Sequence, residues 1–177
     1  EIAERHGLTD WSTDLTATLA RPDVQIYFDA QVTSERKKAI LKAAAAGKHV
    51  FTQARMAMDY ADAKLMWEAA KKYPHLTTNI CAPPHYMRGD RTVRRMIKEG
   101  FIGQPYNVNV RSYSEGYHNP KAPVHWRQIG SISGVNTQDV GMMIEVVHRW
   151  LGYTKRVTAV AKTHIPQRPP AEVNQGT

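Results

Sequence analysis

Moving a proton near neutral pH takes a carboxylate or an imidazole within hydrogen-bond reach of the group that gives it up. His85 follows an apolar run that ends at Cys81, and Asp139 stands where a helical pattern begins. These two are the candidate catalytic residues. Asp139 has a second reading as a helix N-cap, and His85 has one as an ordinary loop histidine. Arg55 carries a permanent charge and cannot act as a base near pH 7, so it suits an anion or a wet surface. Glu145 and His148 lie three apart on one helix face. That spacing serves a proton relay or a metal pair, and more often a plain surface contact. Between 113 and 127, Tyr113, Tyr117 and Trp126 are interleaved with His118 and His125. Apolar ring faces beside directional polar groups are what a sugar site needs, and also what a loop packed on a sheet would carry. The lone Cys81 excludes an intramolecular disulfide and a Cys-rich zinc site; it reads as a small buried hydrophobe.

These residues need elements to place them. The pattern predicts a helix over 1–6, a short helix over 14–20, a strand over 24–28, a helix over 35–46 capped by Ser34, a strand over 49–52, a helix over 59–72 burying Ala63, Met66, Trp67 and Ala70, and a strand over 76–81. Met56, Met58 and Met66 read as core. Alternating strands and helices at this spacing mean right-handed crossovers and a parallel sheet. Ligands of such sheets sit at the carboxyl ends of the strands, so the loops after Phe28, Thr52 and Cys81 are the ones to watch. Ala82-Pro83-Pro84 breaks the rhythm. Beyond it come a helix over 89–99, an alternating half-buried strand over 106–113, a loop over 114–134, a helix over 137–151 with Val140, Ile144, Val147 and Leu151 on one stripe, a strand over 157–163, and a loop or frayed end from 165. The expected fold class is α/β: a partial parallel sheet over 1–82, then over 83–177 part of a second α/β domain with a mostly antiparallel open sheet.

The 177 residues are 42% hydrophobic and 23% charged, enough for one good core or two small ones. No apolar run is long enough to span a membrane, and the first residues do not form a signal peptide. The net charge of +8 is spread along helices, as in Arg36-Lys37-Lys38 and in Arg91, Arg94, Arg95 and Lys98. Both sets read as solvated faces rather than a nucleic-acid footprint. A reducing cytoplasm suits the single cysteine.

Three stretches carry a resemblance. The first is Asp23-Val24-Gln25-Ile26-Tyr27-Phe28-Asp29-Ala30, a helix, then Ala46-Gly47-Lys48-His49-Val50-Phe51. The second is Ile97-Lys98-Glu99-Gly100-Phe101-Ile102-Gly103-Gln104-Pro105 leading into a strand. The third is Trp126-Arg127, a Gly-containing loop, Asp139-Val140-Gly141, and a helix ending in Arg149-Trp150-Leu151-Gly152. In order and spacing they resemble the glucose–fructose oxidoreductase/inositol dehydrogenase (Gfo/Idh/MocA) family. The resemblance implies a Rossmann-type NAD(P)-binding domain, a substrate and oligomerisation domain, and hydride transfer between a sugar or polyol hydroxyl and NAD or NADP. It implies cofactor contacts from Ala30, Gln31, Thr33, Gln53, Arg55, Trp126 and Arg127, a homo-oligomer, and neither nucleic acid nor membrane as partner. The family's Gly-rich pyrophosphate turn, G-x-G-x-x-G, does not occur in these residues and is expected to precede Glu1, so the chain reads as an internal piece.

The chain departs from the family at two points. The family's Glu-Lys-Pro reads Gln53-Ala54-Arg55, putting Ala54 where the lysine belongs. Its Asp-x-Gly-x-His-x-x-Asp reads Asp139 to Val146, putting Met143 at the histidine and Val146 at the second aspartate. A thioether takes no proton near pH 7. Three readings stay open: other groups do the acid–base work, the chemistry differs, or the chain is a non-catalytic nucleotide- or sugar-binding relative.

Overall fold

An apolar strand that enters a sheet between two crossover helices must hide both its backbone and one face, and the central strand here does so. The computed structural model describes residues 2–81, 88–134 and 140–170. Contacts divide the chain into two compact units, Glu1–Cys81 and Ala82–Thr177. In the first, β1 (Ile26–Asp29), β2 (His49–Gln53) and β3 (Thr78–Cys81) form a parallel sheet in the order β1-β2-β3. Phe28 pairs with Phe51 and Asp29 with Thr52; Thr52 in turn pairs with Ile80. Two short helices, α1 (Ile2–Arg5) and α2 (Leu15–Ala20), precede the sheet. The crossovers are α3 (Thr33–Ala45) and α4 (Tyr60–Lys72).

Small residues let α3 lie close to the sheet. Ala39, Ala43 and Ala44 are buried on it beside Ile40, and the core is completed by Leu19, Val50 and Met66, with Leu15, Tyr27, Met56 and Ala57 packed against it. Burying a side chain the size of Met66 or Ile40 contributes roughly 1.5–3 kcal/mol. Gly47 follows α3 at φ +72°, a conformation that favours glycine. Asp59 caps α4 by accepting from the Asp62 amide at 2.9 Å. On the sheet face away from this core, Phe28 and Phe51 stack at 5.5 Å between ring centroids and stay exposed.

Several expectations for this unit need correction. Ser34 does not cap α3; Val32 takes the N-cap position, without a side-chain bond. Trp67 lies on the wet side of α4, where the Lys71 ammonium sits 3.6 Å from its ring centroid. Cys81 is exposed, because β3 is an edge strand and its side chain sits on the face that α3 and α4 leave open. Arg36 is not on a solvated face: it is 3% exposed.

In the second unit α5 (Asp90–Lys98) and α7 (Val140–Leu151) pack together. Asp90 accepts from Arg149 at 2.5 Å and from the Trp150 indole at 2.8 Å. A 3₁₀ turn (Trp126–Gln128) and the short α6 (Gly130–Ser133) interrupt the stretch expected to be all loop. Residues 106–113 and 157–163 were expected as strands, but among the described residues neither pairs in a sheet. Alternation supplies a strand with two faces, but only a neighbour supplies its ladder. The stripe on α7 is likewise only partly covered: Val147 is half-buried, while Val140, Ile144 and Leu151 are exposed, and the buried residue of this helix is Val146, off that stripe. Of the segment from 165, the described residues 165–170 form a loop pinned where Arg168 donates to the carbonyls of Asn119 (2.6 Å) and Tyr117, and Pro169 accepts from the Val124 amide at 2.9 Å. No helix among the described residues is long and apolar enough to cross a membrane.

Candidate functional site

The carboxyl ends of β1 and β2 meet over a buried ion pair. Asp29 closes β1 at 0% exposure and Arg36 lies in the first turns of α3 at 3%. The guanidinium Nε donates to Asp29 Oδ2 at 2.5 Å. One terminal nitrogen donates to the carbonyls of Gln53 (2.8 Å) and Arg55, and the other to the carbonyl of Gln31 (2.6 Å). Asp29 Oδ2 also accepts from Thr52 Oγ1 at 2.8 Å, and Oδ1 accepts from the Tyr27 hydroxyl at 3.3 Å. The Gln31 amide donates in turn to the Tyr27 hydroxyl at 3.3 Å. Burial first, then the neighbouring Asp29 charge and the bond to it, push the Tyr27 phenol up to about 12.

This network gathers most of the residues assigned to cofactor contact. Gln31 and Gln53 are exposed beside it, Ala30 is exposed between Asp29 and Gln31, and Arg55 is half-buried with its carbonyl on Arg36. Thr33 is different: at the start of α3 it is 2% exposed, so its side chain offers almost nothing to solvent. The peptide between Ala54 and Arg55 is cis, and the Ala54 amide donates to the Cys81 carbonyl at 3.1 Å, tying the loop after β2 to the end of β3. Asp29 and Arg36 were missed as site residues. The signal was present, because Arg36 lies on the same helical stripe as Ala39, Ile40 and Ala43. A charged residue on a core stripe demands a buried partner, and an aspartate ending the preceding strand supplies it.

Trp126 and Arg127 lie in the second unit. His125 caps their 3₁₀ turn, accepting from the Arg127 amide at 3.2 Å, and its own amide donates to Gln128 Oε1 at 2.8 Å. The Arg127 guanidinium lies 4.3 Å from the Trp126 ring centroid, a cation–π contact. Tyr117 joins the cluster: its hydroxyl is 3.3 Å from His125 Nδ1, and its own backbone takes the left-handed φ of 66°. His125, one of the two histidines interleaved with the aromatic residues of 113–127, is thus the residue that organises the turn. Along α7, Met143, Ile144 and Val147 line a cavity of about 570 Å³ whose rim carries Ser114, Tyr117, His148 and Thr154. His148 Nε2 lies 2.8 Å from Thr154 Oγ1. The two candidate catalytic residues, His85 and Asp139, lie outside the described residues. Among the described residues no group of three or more His, Cys, Asp or Glu side chains could hold a metal.

No family model matches the chain. It is 31% identical over 175 residues to a D-xylose dehydrogenase of Paenarthrobacter nicotinovorans, a match that covers 95% of this chain and 44% of that protein. It is 25% identical over 171 residues to a levoglucosan dehydrogenase of Pseudarthrobacter phenanthrenivorans, covering 96% and 44%. Its fold is similar to a solved structure of levoglucosan dehydrogenase in complex with NADH and levoglucosan, with a TM-score of 0.77 at 24% identity over 97% of this chain and 48% of that one. The chain therefore spans less than half the length of the curated relatives it matches.

Proposed function

We propose, from the premise that this chain belongs to the Gfo/Idh/MocA oxidoreductases, that it serves NAD(P)-dependent hydride transfer between a sugar or polyol hydroxyl and the nicotinamide. The observation that carries the reading is the kinship with sugar dehydrogenases along 95% of the chain or more. The joined strand-end loops support it, since open parallel sheets take their ligands at that edge. The residues there fit a dinucleotide in kind. Gln31 and Gln53 offer exposed amides, and Arg55 offers a charge for an anionic group. The Gly-rich turn that would seat a pyrophosphate on a helix N-terminus is not among these residues.

The nicotinamide, when bound, supplies the hydride acceptor; the chain's own part is to hold the reactants and move the proton. Ala54 and Met143 can do neither acid nor base work, so we assign the proton to His85 or Asp139. Ala30, Gln31, Gln53 and Arg55 of the first unit hold the cofactor, and Trp126 and Arg127 of the second offer an aromatic and cationic surface for cofactor contact. Thr33 contributes its backbone rather than its buried side chain. A homo-oligomer in a reducing cytoplasm completes the proposal.

The test is a titration of the chain with NADH and NADPH, read by energy transfer from its 4 tryptophans to the reduced nicotinamide, followed by a sugar and polyol screen for nicotinamide reduction. Saturable binding with sugar-dependent reduction supports the reading. Binding without turnover by any sugar would leave a nucleotide-binding relative instead, and no binding by folded protein would sink the proposal. Arg127→Ala is expected to weaken cofactor binding or turnover; if both stay at the wild-type level, Arg127 has no part in the reaction.

A further inference from the structure

We infer that Arg36 is a positioning residue: its guanidinium locks the loop after β1 and the loop after β2 into one surface. What that surface holds rests on the function proposed above; the lock itself does not. Three of the bonds that Arg36 makes go to backbone carbonyls: that of Gln31 in the loop after β1, that of Gln53 at the end of β2 and that of Arg55 in the loop after it. The fourth goes to Asp29, which is itself fixed by Thr52 and Tyr27. One side chain in the first turns of α3 therefore spans the ends of both strands.

Stability alone does not explain this arrangement. A buried ion pair can often be replaced by apolar residues without loss, because the desolvation of two charges offsets their attraction. The stripe on which Arg36 sits already accepts apolar neighbours at Ala39, Ile40 and Ala43. What an apolar side chain cannot do is satisfy carbonyls that have left the sheet ladder. Lysine cannot do it either. Its donors sit on a single nitrogen, whereas the guanidinium fork points to Asp29 on one side and to the two loops on others. The loops so joined carry Gln31, Gln53 and Arg55, so a slack lock would spoil the geometry of any ligand resting across them.

Two variants separate positioning from support. Arg36→Lys keeps the charge and loses the fork. The double variant Asp29→Leu/Arg36→Met removes the pair and refills the space, which keeps the question open should the single change fail to fold. Backbone amide exchange of the ligand-free chain is measured, with thermal melting alongside. The expected result is exchange at least tenfold faster in 30–32 and 53–55 in both variants. Exchange in α4 and the centre of β2 stays at the wild-type rate, and the double variant melts close to wild type. Affinity for NADH or NADPH is expected to fall about tenfold in the same two proteins. Wild-type exchange in either loop, or acceleration spread evenly through β1, β2 and both helices, would overturn the lock. A wild-type chain that binds neither nucleotide would sink the functional proposal, while exchange would still decide the lock.

Discussion

Asp29–Arg36 in the first unit and Asp90–Arg149 in the second are both arginine–carboxylate contacts at 2.5 Å, yet their surroundings differ. The first pair is 0% and 3% exposed, and its arginine donates to a carboxylate and three carbonyls. The second leaves Arg149 at 26% exposure, and Asp90 shares its oxygens between Arg149 and the Trp150 indole. A third arginine, Arg21, clasps Asp10 and Asp23 in open solvent. Distance is similar across the three, so the cost of breaking each is set by how far water can replace the missing partner.

Substitutions can break that ordering or sharpen it. Asp29→Ala leaves a buried, unpaired guanidinium and should cost about 3–5 kcal/mol in a denaturant titration; a loss below about 1 kcal/mol would mean that water reaches Arg36. Asp90→Ala should cost clearly less in the same assay, because Arg149 can turn toward solvent, and equal losses would erase the distinction. Acid offers a finer test. The hydrogen bond from Arg149, then that from Trp150, hold the Asp90 carboxyl below the usual carboxylate range. Its folded-state pKa is depressed, so its contribution is complete above about pH 4, the unfolded value, and fades as pH falls through the folded value below it. Trp150 fluorescence followed from pH 5 downward should change only below about pH 4. A midpoint above that would contradict the pairing. Arg21→Ala should leave the unfolding midpoint unchanged, as exposed pairs generally do.

The same contrast explains what could be read in the sequence. The parallel sheet of the first unit was legible because each crossover carries its own covering helix, so strand and cover lie close together in the chain. Helix bounds read as 59–72 and 89–99 lie within a residue of Tyr60–Lys72 and Asp90–Lys98. Residues 106–113 show the opposite case, where a correct alternation told nothing about a partner. Of the site, the loops were legible and the lock was not. Arg36 was grouped with Lys37 and Lys38 by charge, when its phase with Ala39 and Ile40 was the informative property. Trp67 misled in the other direction: a large ring on a helix reads as core, but Lys71 in the last turn of α4 gives it a cationic neighbour and the ring stays exposed.

Tyr27 turns the buried network into something that can be watched by eye of a spectrometer. An ordinary tyrosine gives up its proton near pH 10, whereas burial and the Asp29 carboxylate hold this one to about 12. In an alkaline ultraviolet titration the Tyr27 phenolate should form only near pH 12. It forms earlier once the carboxyl ends of the strands come apart. The late absorbance step is thus an intrinsic dye placed inside the latch, reporting its opening without a label.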